Sequence, residues 1–431
     1  MIKSEPEYVK EFLEQIPKFS KIGKSAVNYS LQNIRQFCTS IGNPHKKLSA
    51  IHVAGTNGKG SVCRMLSSML QTMGKKVGLF TSPHLYEFNE RIRINSHPVE
   101  YGELAAFIRQ HSQKAHAHHL SYFEVSTAMA FWIFNSNNVD TAILETGLGG
   151  RLDATNIVDP PVSVITSIGR DHEDILGKGI KQIAKEKSGI IKKNRHVVVG
   201  NLPRTALDVV KKKAREESAS LHQIPDFNFN SGKQELTFES SGGVKNFMIP
   251  FKAPIQAHNV TLAYTVLQQY CTAQLCQLDD QAVQNGLDAY NYRFPQTACF
   301  EKLNPKLNWY FDGAHNADAL ASLKVTISQR APIEQWTLVF TVMHDKLNSE
   351  LIHHLLGFKK IYYYPSTSKR TAPINTVTKL LPKAKRFPLK AEEQIKSGFV
   401  HKQKTQLVLF TGSFYFYKQI RGWVDHIISE K

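Results

Sequence analysis

Seven consecutive residues near the amino end have the types and spacing of a phosphate-binding loop. In order they are Gly55, Thr56, Asn57, Gly58, Lys59, Gly60 and Ser61, between an apolar segment and a helical pattern. Glycines let phosphate oxygens approach the backbone N–H groups at the start of a helix. A lysine there neutralises the terminal phosphates, and a hydroxyl can reach the phosphates or Mg²⁺. The sequence therefore predicts a site for the phosphate groups of a nucleotide.

The loop departs in two places from the common pattern G-x-x-x-x-G-K-[ST]. Val53 stands where that pattern has its first glycine, and Gly60 separates Lys59 from Ser61. The simpler alternative is a tight turn at Asn57-Gly58 that joins two elements. A hairpin turn would be followed by a second strand, whereas a helical pattern follows here, so the phosphate site is favoured.

Two further residues, Glu145 and His172, have positions suited to a metal site, and a third, Lys187, does not. Glu145 ends the predicted strand 141–145, at the carboxyl edge of a parallel sheet where ligands of such folds bind. A carboxylate there suits Mg²⁺, and a solvated strand end is the alternative. His172 follows the predicted strand 162–167, but an isolated histidine is more often structural. Lys187 lies in a helical segment, where its residue type alone indicates a solvent-facing side chain.

The hydrophobic pattern predicts the elements that position these residues. Short β-branched runs alternate with helical stretches, which indicates parallel βαβ units. The predicted strands are 51–54, 77–80, 141–145, 162–167 and 196–199, and the predicted helices are 60–73, 103–116, 124–135 and 180–192. A β-like patch over 222–250 follows, then helices near 259–274 and 279–290. After 293-RFPQ-296 the alternation restarts, with strands at 309–311, 337–341, 361–364 and 407–410 and a helix from Asn316.

Composition limits the partners and the compartment. The 431 residues suggest two or three domains at roughly 150 residues each. The net charge of +18 favours anionic partners, but the basic residues are spread out and form no recognition motif for nucleic acid. No apolar run approaches the roughly 18 residues of a membrane span, and we expect no signal or transit peptide. Five cysteines without paired spacing favour neither disulfides nor zinc, so we expect a cytoplasmic protein.

Several strings in a fixed order resemble a known family. The phosphate loop is followed by 81-TSPHLYEFNERIRIN-95, 140-DTAILETGLGGRLDATNIV-158, 167-SIGRDHEDILG-177, 184-AKEKSGIIK-192, 256-QAHNVTLA-263, 311-FDGAHNADAL-320 and 411-TGSF-414. This series resembles the folate branch of the Mur ligase family, which comprises dihydrofolate synthases and folylpolyglutamate synthases. The glycine between the lysine and the serine of the loop is characteristic of that branch.

The resemblance implies a fold and a reaction. The expected fold class is α/β: a P-loop ATPase domain with a mostly parallel sheet and a small β patch over 1–295, then a smaller Rossmann-like ligase domain over 299–431. The γ-phosphoryl group of ATP would pass to a carboxylate, and the amine of L-glutamate would attack the resulting acyl phosphate. The acceptor would be 7,8-dihydropteroate, with reduced folates as further acceptors. Such chemistry depends on charge neutralisation and alignment more than on a protein nucleophile.

By resemblance, the residues that bind nucleotide and metal come from both predicted domains. The nucleotide contacts would be the loop 55–61, Asn259, Arg293 and Asp312. The Mg²⁺ of the nucleotide would be held by Ser82 and Glu145, and a second Mg²⁺ by His172 and a carbamylated Lys187. A turn or cap role is the alternative for Ser82, which precedes a proline. Carbamylation requires a neutral amine, so we expect Lys187 to be partly desolvated or near positive charge. The predicted catalytic residues are Lys59, His172 and Lys187.

The same resemblance assigns the acceptor and glutamate sites. The dihydropteroate contacts would be Ser121, Tyr122, Phe123, Glu124, Leu152, Asp153 and Ala154. His315 and Ser413 would lie near the incoming glutamate. The chain departs from the family before Arg293, where Pro-Gly-Arg-Phe appears as Asn-Tyr-Arg-Phe, and at Leu347, where the family has an acid.

Two other functions fit parts of the pattern. The charge of +18 would suit a nucleic-acid-stimulated P-loop ATPase, whose affinity for DNA or RNA would fall with salt. A peptidoglycan-precursor ligase of the same fold is disfavoured by 58-GKGS-61 and 81-TSPHL-85. The partners expected are small molecules, with neither nucleic acid nor membrane, and family analogy favours a monomer.

Overall fold

The computed structural model describes residues 3–16, 30–295, 298–366, 368, 370–387 and 406–429. The chain forms two compact units. The first comprises residues 1–169 and 173–295, and the second comprises 170–172 and 296–431. Each unit is built around its own sheet and its own hydrophobic core.

The first unit alternates strands and helices along most of its length. Its α-helices are α1 (Glu5–Gln15), α2 (Gln32–Ser40), α3 (Lys59–Thr72), α4 (Tyr101–Ala117), α5 (Tyr122–Ser136), α6 (Glu173–Leu176), α7 (Ile180–Ser188), α8 (Arg204–Glu216), α9 (Pro254–Gln274), α10 (Asp280–Asp288) and α11 (Tyr290–Arg293). Its strands are β1 (Ala50–Ala54), β2 (Val77–Phe80), β3 (Ile92–Ile94), β4 (His97–Pro98), β5 (Thr141–Glu145), β6 (Val162–Ile165), β7 (His196–Val199), β8 (Ser220–Gln223), β9 (Phe227–Asn230), β10 (Glu235–Ser240) and β11 (Gly243–Met248).

Eight of these strands form one sheet in the order β4-β3-β2-β5-β1-β6-β7-β8. All neighbours from β2 to β8 are parallel, and β3 and β4 add an antiparallel edge. The central strands β1, β5 and β6 are buried along their whole length. Because helices cover both faces of a parallel sheet, such strands are continuous apolar runs rather than alternating ones. The loops after these three strands therefore emerge side by side.

Successive residues of each central strand enter different cores, as the period of two requires. Ile51, Val53 and Ile143 pack against α3, α9 and α10, and the small antiparallel sheet β11-β10-β9 closes that core. Ala142 and Leu144 point to the other core, which contains α1, α2, α4 and α5. The sheet thus fixes the direction of every loop at its carboxyl edge.

The second unit repeats the α/β pattern on a smaller scale. Its elements are β12 (Glu301–Lys302), β13 (Trp309–Asp312), α12 (Ala317–Ser328), β14 (Trp336–Phe340), α13 (Ser349–His354), β15 (Lys360–Tyr363), α14 (Ile374–Leu380), β16 (Lys385–Arg386), β17 (Leu407–Thr411) and α15 (Phe414–Ser429). The sheet order is β12-β13-β17-β14-β15-β16, and only the β12–β13 pair is antiparallel. Its core includes Tyr310, Trp336 and Leu338.

The predicted fold class is confirmed, and the predicted bounds differ mainly where tertiary contacts intervene. The helix predicted over 180–192 ends at Ser188 with Gly189 at its C-cap. A Cβ on Gly189 would lie 2.4 Å from the Cβ of Arg151, so this turn is packed against the preceding loop. The strand predicted over 162–167 ends at Ile165, because the side chains of the next two residues bind the phosphate loop. Within the described residues, no helix is long and apolar enough to span a membrane.

Candidate active site

The predicted phosphate loop connects β1 to α3 and is held in shape by the segment that follows β6. Thr56 N donates to Ser167 O at 2.9 Å, and Asn57 N donates to Ser167 Oγ at 2.9 Å. Thr166 Oγ1 donates to Asn57 O at 2.6 Å. A Cβ on Gly55 would lie 1.9 Å from Thr166 Oγ1, so only glycine permits this approach. The loop conformation is therefore held by hydrogen bonds within the protein.

The remaining glycines shape the start of the helix. Gly58 has φ +86°, in the left-handed region that glycine adopts without steric cost. A Cβ on Gly58 would lie 3.0 Å from Asn259 Oδ1, so Asn259 of α9, a predicted nucleotide contact, packs on the loop. Gly60 lies in the first turn of α3, and a Cβ there would be 3.5 Å from Glu145 Oε2. The extra glycine of the motif thus lies beside the predicted metal ligand.

Lys59 folds back over the loop that precedes it. Its Nζ donates to Gly55 O at 3.0 Å and to Thr56 O at 3.3 Å. The side chain remains partly exposed. An ammonium group held over the N-terminus of a helix can neutralise a phosphate that binds to the backbone N–H groups there. Ser61, one turn into α3, is buried.

Glu145 is a buried carboxylate surrounded by positive charge. Its side chain is 4% exposed, and Oε2 accepts a hydrogen bond from Ser82 N at 3.0 Å. Burial raises the pKa of Glu145, and the charge of Lys59 and the hydrogen bond from Ser82 oppose that shift. Arg64 and Arg91 also lower this pKa from further away. An anionic oxygen between cations, next to a phosphate loop, is a donor that suits Mg²⁺.

Sequence patterns did not identify the two arginines. Arg64 lies one turn beyond the phosphate loop, and its Nη1 would be 3.4 Å from a Cβ on Gly60. Arg91 is buried, donates from Nε to His84 Nδ1 at 2.9 Å and lies 5.5 Å from the ring centroid of Tyr122. The available signal was the spacing of Arg64 from Gly60, since residues four apart share a helix face.

Lys187 is buried at the end of α7 and reaches the phosphate loop. Its side chain is 4% exposed, and its Nζ donates to Gly55 O at 2.7 Å. This carbonyl also accepts from Lys59, so the two predicted catalytic lysines donate to the same oxygen atom. The residue type alone indicates a solvent-facing lysine, whereas the structure buries this side chain against the phosphate loop.

Arg293 is not close to the phosphate loop. Its Nη1 donates to the backbone oxygen of Ser68 and, at 3.1 Å, to Ser68 Oγ. Ser68 lies nine residues beyond Lys59 in α3, about 13 Å further along a helix that rises 1.5 Å per residue. The structure therefore places Asn259, but not Arg293, against the phosphate loop.

The loop after β5 is closed by Asp153. Asp153 Oδ2 accepts from Gly147 N and Leu148 N, each at 2.9 Å. Asp153 Oδ1 accepts from Thr155 N at 3.0 Å and from Thr155 Oγ1 at 2.5 Å. Burial raises the pKa of Asp153, and these four hydrogen bonds oppose the shift. The loop from Gly147 to Asp153, here called the acceptor loop, is thus tied to the 3₁₀ turn Ala154–Ile157.

The predicted pterin residues of α5 pack against this acceptor loop. Ser121 and Glu124 form a capping box in which Glu124 Oε2 accepts from Ser121 N at 2.8 Å. This box fixes the direction of the next side chains. A Cβ on Gly147 would lie 2.5 Å from Phe123 Cζ, so the ring rests on the glycine. The Tyr122 ring packs edge-on to Phe88, while Leu152 is partly exposed and Ala154 is buried.

A charged cluster surrounds Asp171 within the second unit. Lys346 Nζ lies 2.8 Å from Asp171 Oδ1, and both side chains are about one-tenth exposed. Asn316 Nδ2 donates to Asp171 Oδ2 at 3.2 Å, and His315 Nε2 lies 3.7 Å from that oxygen. Burial would raise the pKa of Asp171, but His315, Lys346 and His172 hold it well below its usual range.

His172 belongs to the same cluster. It has φ +51°, and its N–H donates to Asp171 Oδ1 at 2.9 Å, so the carboxylate supports a backbone conformation that is uncommon for histidine. The sequence prediction named His172 and His315 but not their shared partner Asp171 or Lys346. The dipeptides Asp171-His172 and Asp345-Lys346 were the available signal. Neither dipeptide indicates that Asp171 contacts Lys346, which is 175 positions away in the sequence.

The other predicted residues of the second unit end its central strands. Asp312 follows the apolar part of β13 and accepts from Phe300 N and Ala314 N, each at 2.8 Å. Burial raises the pKa of Asp312 to about 6, although both hydrogen bonds lower it. Ser413 is buried before α15, and its Oγ accepts from Tyr415 N at 3.2 Å.

The donors of the first unit fit a magnesium ion bound together with a nucleotide. Glu145 supplies an anionic oxygen and Ser82 a hydroxyl next to the phosphate loop. Mg²⁺ usually takes one or two protein oxygens, with water and substrate phosphates completing its shell. The described part of the chain contains no group of three or more His, Cys, Asp or Glu side chains that could hold a metal ion.

Comparisons with known proteins point in one direction. Residues 53–267 match the family described as Mur ligase middle domain. A dihydrofolate synthase/folylpolyglutamate synthase from Bacillus subtilis is 33% identical over 419 residues, covering 92% of this chain and 95% of the relative. An Escherichia coli protein of the same description is 28% identical and covers 99% of this chain and 98% of the relative.

Solved structures agree with these relatives over nearly the whole chain. A Mycobacterium tuberculosis folylpolyglutamate synthase complexed with ADP and AMPPCP matches with a TM-score of 0.83 at 27% identity, covering 97% of this chain and 98% of the other. An Escherichia coli protein in complex with DHPP and ADP matches with a TM-score of 0.84 at 26% identity, covering 98% of each chain.

Proposed function

The chain belongs to the folate branch of the Mur ligase family, and we propose that it is an ATP-dependent ligase that joins L-glutamate to 7,8-dihydropteroate. The product of that step is dihydrofolate. By the same chemistry, reduced folates that already carry glutamate serve as further acceptors. The peptidoglycan and nucleic-acid alternatives receive no support from these relatives.

One observation of the structure carries this proposal. The phosphate loop with Lys59 and the buried carboxylate of Glu145 converge on Gly60, at the ends of the adjoining strands β1 and β5. The next loop along the sheet has an apolar ring, Phe123, packed on it. A phosphate loop beside an aromatic side chain is the arrangement that would bring ATP to the carboxylate of an aromatic acceptor.

The reaction then needs two displacements. In the first, an oxygen of the acceptor carboxylate attacks the γ-phosphorus of ATP, and the bond to the β-phosphate oxygen breaks, giving an acyl phosphate and ADP. In the second, the amine of glutamate attacks the acyl carbon, and phosphate leaves as the amide forms and the amine loses its proton. Lys59 and the N–H groups of the loop would stabilise the charge on the transferred phosphoryl group.

Magnesium would be held by Glu145 and Ser82 in this scheme, and a second ion by His172 and Lys187. Bound there, the ions supply charge neutralisation on the phosphates. Glu145→Ala should therefore change the Mg²⁺ dependence of ATP turnover, with Glu239→Ala, at an exposed position of β10, as control. An unchanged Mg²⁺ dependence in Glu145→Ala would remove this residue from the metal site.

Lys187 would act as a carbamate. Its buried amine lies beside the phosphate loop, and addition of CO₂ to the neutral amine gives an anionic oxygen donor. Lys187→Ala should lose most ligase activity, and small added carboxylates should restore part of it. Rates like those of the wild type in this variant would contradict the carbamate proposal.

The acceptor and glutamate would take separate places. Dihydropteroate would lie along Ser121–Glu124 and the acceptor loop with Ala154, and glutamate would meet His315, Ser413 and the cluster around Asp171. The nucleotide would also contact Asn259 and Asp312. Arg293, which donates to Ser68, would need to move to reach a phosphate. The proposed division of labour is ATP binding by residues 1–295 and glutamate handling by 299–431.

The test is an ADP-release assay with purified protein, Mg²⁺, ATP, dihydropteroate and L-glutamate. ADP release that depends on both the acceptor and glutamate is expected, and its absence would overturn the proposal. Replacing the acceptor by a peptidoglycan precursor separates the family branches. We further propose a monomer in the cytoplasm, a compartment that suits five free cysteines; size measurement in solution tests the first point.

A further inference from the structure

A buried histidine lies behind the acceptor loop. His52 is in the centre of β1, three residues before the phosphate loop, and its side chain is 0% exposed. Its Nε2 lies 2.7 Å from Thr155 Oγ1, which is also 0% exposed. Val53 and Ile51, its neighbours in the strand, point to the opposite core, so the histidine faces the side of the sheet that carries the acceptor loop.

The direction of each hydrogen bond follows from the groups present. Asp153 Oδ1 accepts from Thr155 N as well as from the hydroxyl, and an ionised carboxylate only accepts. The proton of Thr155 Oγ1 therefore points at Asp153. The hydroxyl oxygen is then left as the acceptor for His52, which must carry its proton on Nε2. His52 Nδ1 has no hydrogen-bond partner among the described residues, in keeping with an unprotonated nitrogen.

We propose that His52 is a positioning residue for the acceptor: its Nε2–H holds Thr155, Thr155 holds Asp153, and Asp153 holds the N–H groups of Gly147 and Leu148. This inference rests on the proposed function, because that function identifies dihydropteroate as the ligand of the acceptor loop. The chain of hydrogen bonds connects the strand before the phosphate loop with the loop on which the ring of Phe123 packs. His52 touches neither substrate and acts only through Thr155.

The surroundings keep His52 in a single protonation state. Burial lowers the pKa of His52 to about 3, and the nearby charge of Lys192 adds to the shift. Lys192 itself donates to Asn156 O at 2.9 Å and to Asn156 Oδ1 at 2.8 Å, so it supports the same 3₁₀ turn from the other side. A protonated His52 would have to place a second N–H where no acceptor is available. The neutral ring is therefore retained across the working pH range.

A plain structural role predicts a loss of stability without a change of substrate preference. The variants His52→Gln and His52→Leu separate the two roles, because the amide nitrogen of glutamine can take the place of Nε2 and leucine has no donor. For His52→Leu we expect the KM for dihydropteroate to rise about tenfold while the KM for ATP stays within about twofold. His52→Gln should restore the acceptor KM to within about threefold of the wild-type value.

Thr141→Val is the matched control. Thr141 is a fully buried polar residue at the start of β5 in the same sheet, and its Oγ1 lies 2.7 Å from Tyr270 OH. We expect a loss of thermal stability similar to that of His52→Leu, with the acceptor KM unchanged. Equal acceptor KM values in His52→Leu and Thr141→Val would overturn the proposal, as would a glutamine variant no better than leucine.

Thr155→Val keeps the test decisive if the leucine variant does not fold. Because His52 acts through this hydroxyl, the acceptor KM of His52→Gln/Thr155→Val should equal that of Thr155→Val alone. If the effects of the two substitutions on the acceptor KM multiplied, the proposed chain of hydrogen bonds would be contradicted. The tautomer is checked on the full chain by the ¹⁵N shifts of the His52 ring, which should report a protonated Nε2. This readout needs no activity, so it distinguishes failure of the relay from failure of the proposed reaction.

Discussion

The phosphate loop and the acceptor loop are both glycine-rich turns that follow buried, adjoining strands of one sheet, yet they treat their backbone N–H groups differently. In the phosphate loop, the backbone leads directly into the N-terminus of α3 at Lys59, whose Nζ donates to Gly55 O at 3.0 Å. In the acceptor loop, Asp153 already accepts from Gly147 and Leu148. In the proposed function the first loop binds an anion, whereas in the second loop the carboxylate of Asp153 already occupies the N–H groups.

Glycine content alone therefore does not identify an anion site. A helix N-terminus binds phosphate because its first N–H groups lack internal partners. When a carboxylate of the same loop takes those groups, the glycines serve packing instead. Gly147 supports the Phe123 ring, while Gly60 leaves room beside Glu145.

The largest expected effect concerns the cation of the phosphate loop. Lys59→Met should reduce kcat for ADP release by about 100-fold or more, because the charge on the transferred phosphoryl group loses its neutralising partner. The free energy of unfolding should change by less than about 1 kcal/mol, since Lys59 is partly exposed.

Lys76→Met is the control for this variant, because its Nζ also donates to a backbone carbonyl, that of Asn137. Steady-state ADP release should be unaffected there. Similar losses in both variants would mean that Lys59 serves the fold rather than phosphate.

In the acceptor loop, by contrast, we expect a substitution to lower the stability of the protein substantially. Asp153→Asn places an amide N–H against two of the four donors that now point at the carboxylate, so we expect a loss of about 2–4 kcal/mol in the free energy of unfolding. Denaturant titration measures it. In the exposed cap Asp279, which accepts from Gln281 N at 2.9 Å, the same substitution should cost about 1 kcal/mol or less. Equal costs at the two sites would remove the distinction between the loops.

Alanine at one glycine of each loop gives a smaller but sharper comparison. Gly147→Ala should lose about 1–3 kcal/mol, because the new Cβ would be 2.5 Å from Phe123 Cζ. Gly60→Ala lies in a helix, and its Cβ would find only ordinary contacts at 3.4 Å and beyond, so stability should be unchanged or higher by about 0.5–1 kcal/mol. Chemical denaturation of both variants checks the opposite signs. A destabilised Gly60→Ala would argue against an open space beside Glu145.

The smallest effect concerns Asp312, a carboxylate of the second unit that accepts two hydrogen bonds where Asp153 accepts four. Its pKa in the folded state is raised to about 6 from 3.8, so its contribution to stability is fully present below the lower value and lost as pH rises through the higher one. Between pH 5 and 7 the loss is about 1 kcal/mol. In Asp312→Asn, the decrease in the free energy of unfolding between pH 5 and 7 should be smaller by about 1 kcal/mol than in the wild type. An identical pH dependence would contradict the assignment.

The hydrophobic pattern was sufficient to predict the elements near the site, and the resemblance of short strings to a family agreed with the fold class. The strands 77–80, 141–145 and 196–199 have the predicted bounds, because buried parallel strands are continuous apolar runs between turn residues. Side-chain partners were less accessible. Lys187 has the sequence of a solvent-facing helical lysine, and only the fold brings its Nζ to Gly55 O.

What the sequence by itself determined is therefore local: hydrophobic periodicity sets the strands and helices, and glycine, lysine and serine between them mark a phosphate loop. What only the tertiary structure decided is which polar groups already have partners. Asp153 is occupied by its own loop, Asp171 meets Lys346 from a distant part of the chain, and Arg293 donates to Ser68. The physical reason is that a hydrogen bond or an ion pair depends on distance in space, and residues far apart in sequence become neighbours only when the sheets and their helices pack.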